Sequence, residues 1–349
     1  MGAQLWPGVP LALASAVLFG ALAPLSKLLL AALDPQLLAG VLYVGAGAGL
    51  AIVHFARAAF DIPAQEAPLR SADWPWLGAV VVFGGVLGPL LLMLGLARTD
   101  AASGALLLNL ESLATMGIAW IVFRENVDRR LLIGAFAILA GALLLSWNGA
   151  GVALNGGAIL IAGACLCWAI DNNLTRKLSA ADPVLIAMIK GLAAGAANMG
   201  LAVSRGAAFP APGSLAAAAF VGFIGIGLSL VAFILALRHL GAARTGAYFA
   251  LAPFIGAVLA VTFLHDPLTA KLVAAGVLMG VGLWLHLAER HVHEHRHEAL
   301  EHEHVHVHDD HHQHRHEGQV SEPHSHWHRH EPLTHTHPHY PDLHHRHRH

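Results

Sequence analysis

Charge is scarce in this chain. Of its 349 residues only 12% are charged, where soluble domains carry roughly 25%, and the formal net charge is -2. That balance excludes a nucleic-acid binder resting on a basic surface. Cysteine is nearly missing as well. Cys165 and Cys167 are the two present; at i and i+2 in an apolar run they point to different faces and cannot easily bridge. A disulfide framework is therefore excluded. The charge that does exist is unevenly placed. Residues 1–285 hold 25 charged side chains and 3 histidines, whereas residues 286–349 hold 17 and 24. The larger part is too apolar for a soluble enzyme with one hydrophobic core, and the smaller part is too polar to bury anything.

What is abundant is long apolar sequence. A helix crossing the hydrocarbon needs about 20 such residues. Residues 1–285 divide into ten stretches of that kind: 9–31, 36–57, 74–97, 101–123, 130–147, 155–175, 184–204, 214–237, 242–264 and 271–288. Many of the joints between them carry the Pro, Gly and Asn that end helices. Long runs of Ala and Leu without alternation favour helix over strand. The chain starts without a positively charged region and shows no clear cleavage site after its first apolar run, so residues 11–31 read as a retained first helix.

The second half repeats the first. Residues 94–145 lie over 235–286 at a constant offset of 141, matching Leu94 with Leu235, Ala101 with Ala242, Leu110 with Leu251 and Gly141 with Gly282. Arg124-Glu125 falls on His265-Asp266, each pair ending one long helix and preceding another. Five spans per unit is an odd number, so the repeat enters the bilayer upside down. Inverted repeats around a mid-membrane site are the usual construction of secondary transporters. With the N-terminus inside, the inner joints hold Arg57, Arg70, Arg124, Arg129, Arg130, Arg176, Lys177, Arg238 and Arg244, and the outer joints only Arg98, Arg205 and Lys271. Both termini are expected in the cytoplasm.

These features resemble the drug/metabolite transporter superfamily, in particular its ten-helix EamA-type members. The residues that carry the resemblance are Leu107-Leu108-Asn109-Leu110-Glu111, the Phe123-Arg124-Glu125 helix end, the Gly134 to Gly141 helix, Leu251-Ala252-Pro253 and His265-Asp266. It covers roughly residues 10–288 and implies an all-α integral membrane protein of two inverted five-helix repeats, 9–147 and 155–288, around a central cavity. The sequence departs from the superfamily habit at Ser112, which stands where Pro253 stands in the second half. The tail after His286 has no counterpart in the family pattern.

An ionisable group well inside a span costs at least 2–3 kcal/mol and should face protein or water. Glu111, near the middle of the fourth span, is the strongest candidate for cargo contact or proton coupling; the competing reading is a carboxyl locked to a Lys or a helix backbone. Thr115 follows one turn later on the same side, and Asn109 points about 160° away. Asp171-Asn172-Asn173 begins near the end of the sixth span, with Asp171, Thr175 and Trp168 on one face: a polar gate, or an interfacial helix end. Lys190 shares a side of the seventh span with Asn198. Lys190 and Lys27 could each pair with Glu111 or an anionic cargo, or snorkel to the interface. Pro24, Pro89 and Pro253 lie inside spans and should kink them, giving rocking halves bending points. Gly45 and Gly49, and Gly276 and Gly280, are read as close-packing pairs.

Residues 289–349 are expected to be a disordered cytoplasmic tail, because histidines alternate with polar residues and no core is available. Its candidate metal ligands are His302, His304, His306, His308, His324, His326, His328 and His330. Imidazole suits Zn²⁺, Ni²⁺, Co²⁺ and Cu²⁺. No Walker motif is present, so a gradient rather than ATP should supply the energy, and no cofactor is required. The expected partners are the lipid bilayer, a small-molecule substrate, transition-metal ions and a second copy as homodimer, with no nucleic acid. The function expected is alternating-access export of a small metabolite, amino acid or amphipathic compound across a bacterial inner membrane, not enzymic. Two alternatives stand beside it: a divalent-metal exporter fed by the tail, and a non-transporting metal or pH sensor.

Overall fold

The computed structural model describes residues 8–60, 69–123, 129–147, 155–175, 178, 182–240 and 242–287, and in the tail 291–296, 300–306, 324–330 and 334–339. From Gly8 to Leu287 the described residues are helical apart from short joints. In chain order the helices are α1 (Gly8–Leu29), α2 (Pro35–Ala59), α3 (Ser71–Leu96), α4 (Ala101–Val122), α5 (Arg129–Ser146), α6 (Gly156–Thr175), α7 (Pro183–Ser204), α8 (Pro212–Ala236), α9 (Ala252–Phe263) and α10 (Ala270–Leu287). The first eight are long and apolar enough to cross a membrane, and α9 and α10 are shorter apolar helices. Large apolar side chains such as Ile52, Ile121, Phe136, Val258 and Trp284 face outward. In water that surface would be costly; facing lipid, it places the protein in the bilayer.

Ten spans of similar length are expected from the sequence, and the ninth differs. It comes as two pieces, Ala242–Phe249 and α9, parted at Ala250-Leu251. Proline lacks an N–H and crowds the carbonyl four residues back. For Pro253 that residue is Phe249, the last of the first piece. The same arithmetic explains α1, whose first piece ends at Gly20, four before Pro24. In α4 the break falls between Leu107 and Leu110 without a proline. There side chains take over: the Asn109 amide donates to Leu106 O at 2.8 Å, and the Ser112 hydroxyl donates to Asn109 O at 2.8 Å.

Two helices carry a wider turn. Val81–Leu87 in α3 and Phe223–Leu228 in α8 are π-helical. Gly84 and Gly225 sit within them 141 residues apart, the offset of the sequence repeat. Pro89 lies just after the first, four residues from Gly85.

Close helix approach holds the bundle together, since lipid offers apolar side chains no reason to leave it. Helix α2 packs on α7 and α8, α5 on α10, α1 on α8 and α9, and α6 on α3 and α4. A Cβ on Gly45 would lie 2.1 Å from Ala219 O, and one on Gly49 would enter the Phe223 ring. Gly276 and Gly280 have only ordinary contacts; the tight glycine of α10 is Gly282, against Gly134 O at 2.5 Å.

In the tail, expected to be disordered, the described residues form four short strands. β1 (His291–Arg296) pairs antiparallel with β4 (Thr334–His339), and β2 (Leu300–His306) with β3 (His324–His330). The expectation rested on the missing core. Period-two alternation, with Val292, Val305, Trp327 and Thr336 among the histidines, suits the pleat of a strand instead. Pro338 is tolerated because each strand of a two-stranded ribbon has a free edge.

Candidate functional site

The wider turn of α3 is where the polar residues gather. A π-turn shifts carbonyls from their i+4 to their i+5 donors, as in Gly88 N–H to Phe83 O; Pro89 has no N–H to offer in that series, and three side chains from other helices donate there. Tyr43 Oη of α2 donates to Gly84 O at 2.9 Å, and Trp168 Nε1 of α6 donates to the same oxygen at 3.0 Å. Asn198 Nδ2 of α7 reaches Val86 O at 3.2 Å. It also lies 3.5 Å from Gly85 O, the carbonyl that Pro89 deprives of a partner.

Beside this lattice Lys190 of α7 forms an ion pair with Asp171 of α6, their side chains 20% and 7% exposed. Thr175 supports the carboxylate, its hydroxyl donating to Asp171 Oδ1 at 3.2 Å. Room for the pair depends on Gly84: a Cβ there would lie 2.0 Å from Asp171 Oδ2 and 2.6 Å from Lys190 Nζ. Gly88, one turn on, makes the same room for the indole, with Trp168 Nε1 2.7 Å from an added Cβ. One turn of α3 thus presents bare backbone to three helices.

Glu111 of α4 is half-buried and accepts a hydrogen bond from the Asn172 amide at 2.8 Å. Among the described residues it has no basic partner, because Lys190 is paired with Asp171. Asp171 and Asn172 are neighbours on α6, so the free carboxyl and the ion pair belong to one constellation. Thr115 stands one turn beyond Glu111, its buried hydroxyl without a partner among the described residues.

Of the residues proposed from sequence, Glu111, Asp171, Asn172 and Lys190 come together here, with Thr115 adjacent. Lys27 does not. Its ammonium donates to Leu96 O at 2.5 Å and Thr99 O at 2.7 Å, capping the carbonyl end of α3. Asn109 is turned toward α10, its amide 3.9 Å from Met279 Sδ. Pro89 borders the site through Gly85; Pro24 and Pro253 shape α1 and α9 instead. Sequence reasoning missed Tyr43, Gly84 and Gly88 as site residues. The signal was faint: Gly84-Gly85 with Gly88 one turn later, in a span that also carries Pro89. His308 lies outside the described residues. Among those described, no group of three or more His, Cys, Asp or Glu is placed to hold a metal.

Comparison with known proteins agrees with this architecture. The profile of the EamA-like transporter family matches residues 6–147 and again 155–288. An uncharacterized transporter of Methanothermobacter thermautotrophicus is 27% identical over 297 residues, covering 81% of this chain and 86% of its own. A probable 4-amino-4-deoxy-L-arabinose-phosphoundecaprenol flippase subunit ArnE of Pseudomonas aeruginosa is 39% identical over 112 residues, 31% of this chain and 92% of that one. A crystal structure 18% identical in sequence superposes with a TM-score of 0.58, over 80% of this chain and 95% of the other, and shares the fold. Apolar spans, a twofold family match and a polar constellation at the meeting of the two matched segments lead to one conclusion: this chain is an integral membrane protein of the EamA-like transporter family, within the drug/metabolite transporter superfamily.

Proposed function

We propose that the protein is a secondary transporter working by alternating access, and that Glu111, Asp171 and Lys190 form its cargo and coupling site. The carrying observation is the unbalanced charge of that site. Two carboxyl groups stand against one ammonium, and the ammonium is taken by Asp171. Glu111, held only by a neutral amide, is left for a proton or a cationic group of the cargo. The indole of Trp168 and the ring of Tyr43 supply an apolar wall beside it. The cargo class that fits is a small amphipathic metabolite with a protonated amine. The name of the ArnE relative points to a similar chemistry, an amino sugar on a lipid carrier.

The rest of the reading follows the repeat. Ten crossings form two inverted five-helix units, 9–147 and 155–288, with both termini in the cytoplasm of a bacterial cell and export as the direction. The paired π-turns and the twofold family match support the repeat. Rocking of the units would open the site to each side in turn, with the breaks near Pro24 and Pro253 as bending points.

Flux in proteoliposomes under an imposed proton gradient tests the proposal. Amphipathic amines should move and their acetylated, uncharged analogues should not. Glu111→Gln should abolish the dependence of flux on the gradient. Equal transport of amine and acetylated analogue would remove the amine reading, and unchanged gradient dependence in the Gln variant would remove Glu111 from coupling.

A further inference from the structure

Side-chain hydrogen bonds tie the two family-matched segments together at one end of the bundle. Asp266 Oδ2 accepts from the Ala102 N–H at 2.8 Å. The Asn155 amide donates to Thr99 Oγ1 at 3.3 Å, and the Arg205 guanidinium donates to Gln36 Oε1 at 2.9 Å. Lys271 donates to the Trp147 carbonyl. These residues lie where α3, α5, α7 and α9 end and where α2, α4, α6 and α10 begin, a single end of a bundle whose consecutive helices alternate in direction.

The Asp266 bond differs from the others in its backbone. His265, just before it, has φ 57, in the left-handed region that non-glycine residues seldom enter. Past this residue the Asp266 N–H turns back to Ala260 O at 3.3 Å, closing the end of α9. A strained backbone of this kind persists only where the surrounding structure fixes it. Here the turn carries the next carboxylate away from α9 and onto the start of α4.

Helix α4 therefore begins with two caps of different origin. The first N–H groups of a helix have no partner within it. Asp100, the N-cap residue, accepts from the Ser103 N–H at 2.7 Å, which is the ordinary local solution. The Ala102 N–H is served instead by Asp266, 164 residues further along the chain. Parting the two segments would leave the first cap whole and break the second. Asp266 is half-buried, so water can take up its carboxylate when the bond opens. The bond is charge-assisted, yet it can be made and broken within a cycle.

We propose that Asp266 is the catch of a latch between the two segments: its bond to the start of α4 holds this end of the transporter closed in one access state and is released in the other. The latch presupposes the alternating-access cycle proposed above and names a contact that has to give way in it.

Spin labels on Ala97→Cys and Leu268→Cys, two exposed positions on opposite segments, report the separation at this end by pulsed EPR. The full chain is measured in lipid nanodiscs; its own Cys165 and Cys167 are buried. Asp266→Ala should raise the ratio of long to short distances by about tenfold or more, the effect of one charge-assisted hydrogen bond on a two-state equilibrium. Asp100→Ala removes a carboxylate from the same helix end without touching the other segment, and should leave the ratio at the parent's value. Asp266→Asn keeps the size and one acceptor oxygen, covers the case in which the alanine variant does not fold, and should shift the ratio the same way by less. Equal shifts in the Asp266 and Asp100 variants would show that fraying of α4 opens this end, and an unchanged ratio in both Asp266 variants would show that the bond holds nothing closed; either result overturns the latch. Amine flux in proteoliposomes is measured separately. A parent that carries no amine while Asp266→Ala still shifts the distances would lose the transport reading and keep the latch, whereas normal parent flux with no shift would lose the latch alone.

Discussion

The two π-turns of this protein share a backbone and differ in almost everything around it. In α3, the carbonyls of Val81–Leu87 take hydrogen bonds from Tyr43, Trp168 and Asn198, and the Asp171–Lys190 pair lies against Gly84. In α8, Gly225 meets Leu22 and Leu18, and Gly227 meets Ala46. The nearest polar contact there is a closed pair: Ser15 Oγ donates to Ser229 O at 2.8 Å, and Ser229 Oγ to Ser15 O at 3.0 Å. A distorted turn alone is therefore not a site. It becomes one where neighbouring helices bring donors and leave a charged group beside them. The second turn, enclosed by leucine and alanine, serves packing.

The largest difference between the turns should come from adding one methyl group to each. Gly84→Ala puts a Cβ 2.0 Å from Asp171 Oδ2, and the ion pair must move. Transport should fall by about tenfold or more, at least 1.4 kcal/mol of barrier, and stability by about 1–3 kcal/mol for overpacking. In Gly225→Ala the nearest atom is Leu22 Cδ1 at 3.1 Å, the end of a flexible side chain. That variant should stay within about 1 kcal/mol of the parent and keep its flux. Proteoliposome flux and thermal melting of both variants check this, and equal defects would erase the contrast.

The ion pair offers the next effect. Lys190→Met or Asp171→Asn alone leaves one buried charge without its partner, a loss of up to about 3–5 kcal/mol. The double variant removes both charges and should recover most of that stability while remaining inactive. A melting series in detergent separates the two outcomes. If the double variant melts no higher than the singles, the charges are not what binds α6 to α7. If it transports normally, they are not part of the site.

Much of the bundle is legible in the sequence because lipid imposes a simple rule on length and hydropathy. Glu111 is legible for the same reason: a carboxyl in the middle of a span must face protein or water. Asp171 and Lys190 each had an innocent reading near a membrane edge, and only the packing of both α6 and α7 on the π-turn of α3 joined them. Lys27 looked equivalent to Lys190 along the chain, yet it caps the end of α3. Tyr43 and Gly84 were hidden for a deeper reason. Their bond runs from a side chain to a backbone oxygen, and a π-turn that frees such an oxygen has no residue pattern of its own.

A smaller step on the polar side is Tyr43→Phe. The ring stays, the hydroxyl goes, and Gly84 O keeps Trp168 as its remaining donor. The expected cost is about 1 kcal/mol of stability, one hydrogen bond's worth, with flux reduced by a few-fold, read from the same melting and flux assays. On the packing side the matching change is Ser229→Ala, which leaves Ser15 buried with its hydroxyl still facing the Ser229 carbonyl. It should also cost about 1 kcal/mol, and Ser15→Ala with Ser229→Ala together should cost less than twice that, because the two hydroxyls also meet each other at 3.1 Å and either single variant already loses that contact. The two variants are matched in energy and differ in place. If transport is built on the turn of α3 and not of α8, the tyrosine variant slows flux and the serine variants leave it unchanged. A serine variant that slowed transport as much as Tyr43→Phe would mean that both turns move during the cycle, and that the polar site reports only where the cargo rests.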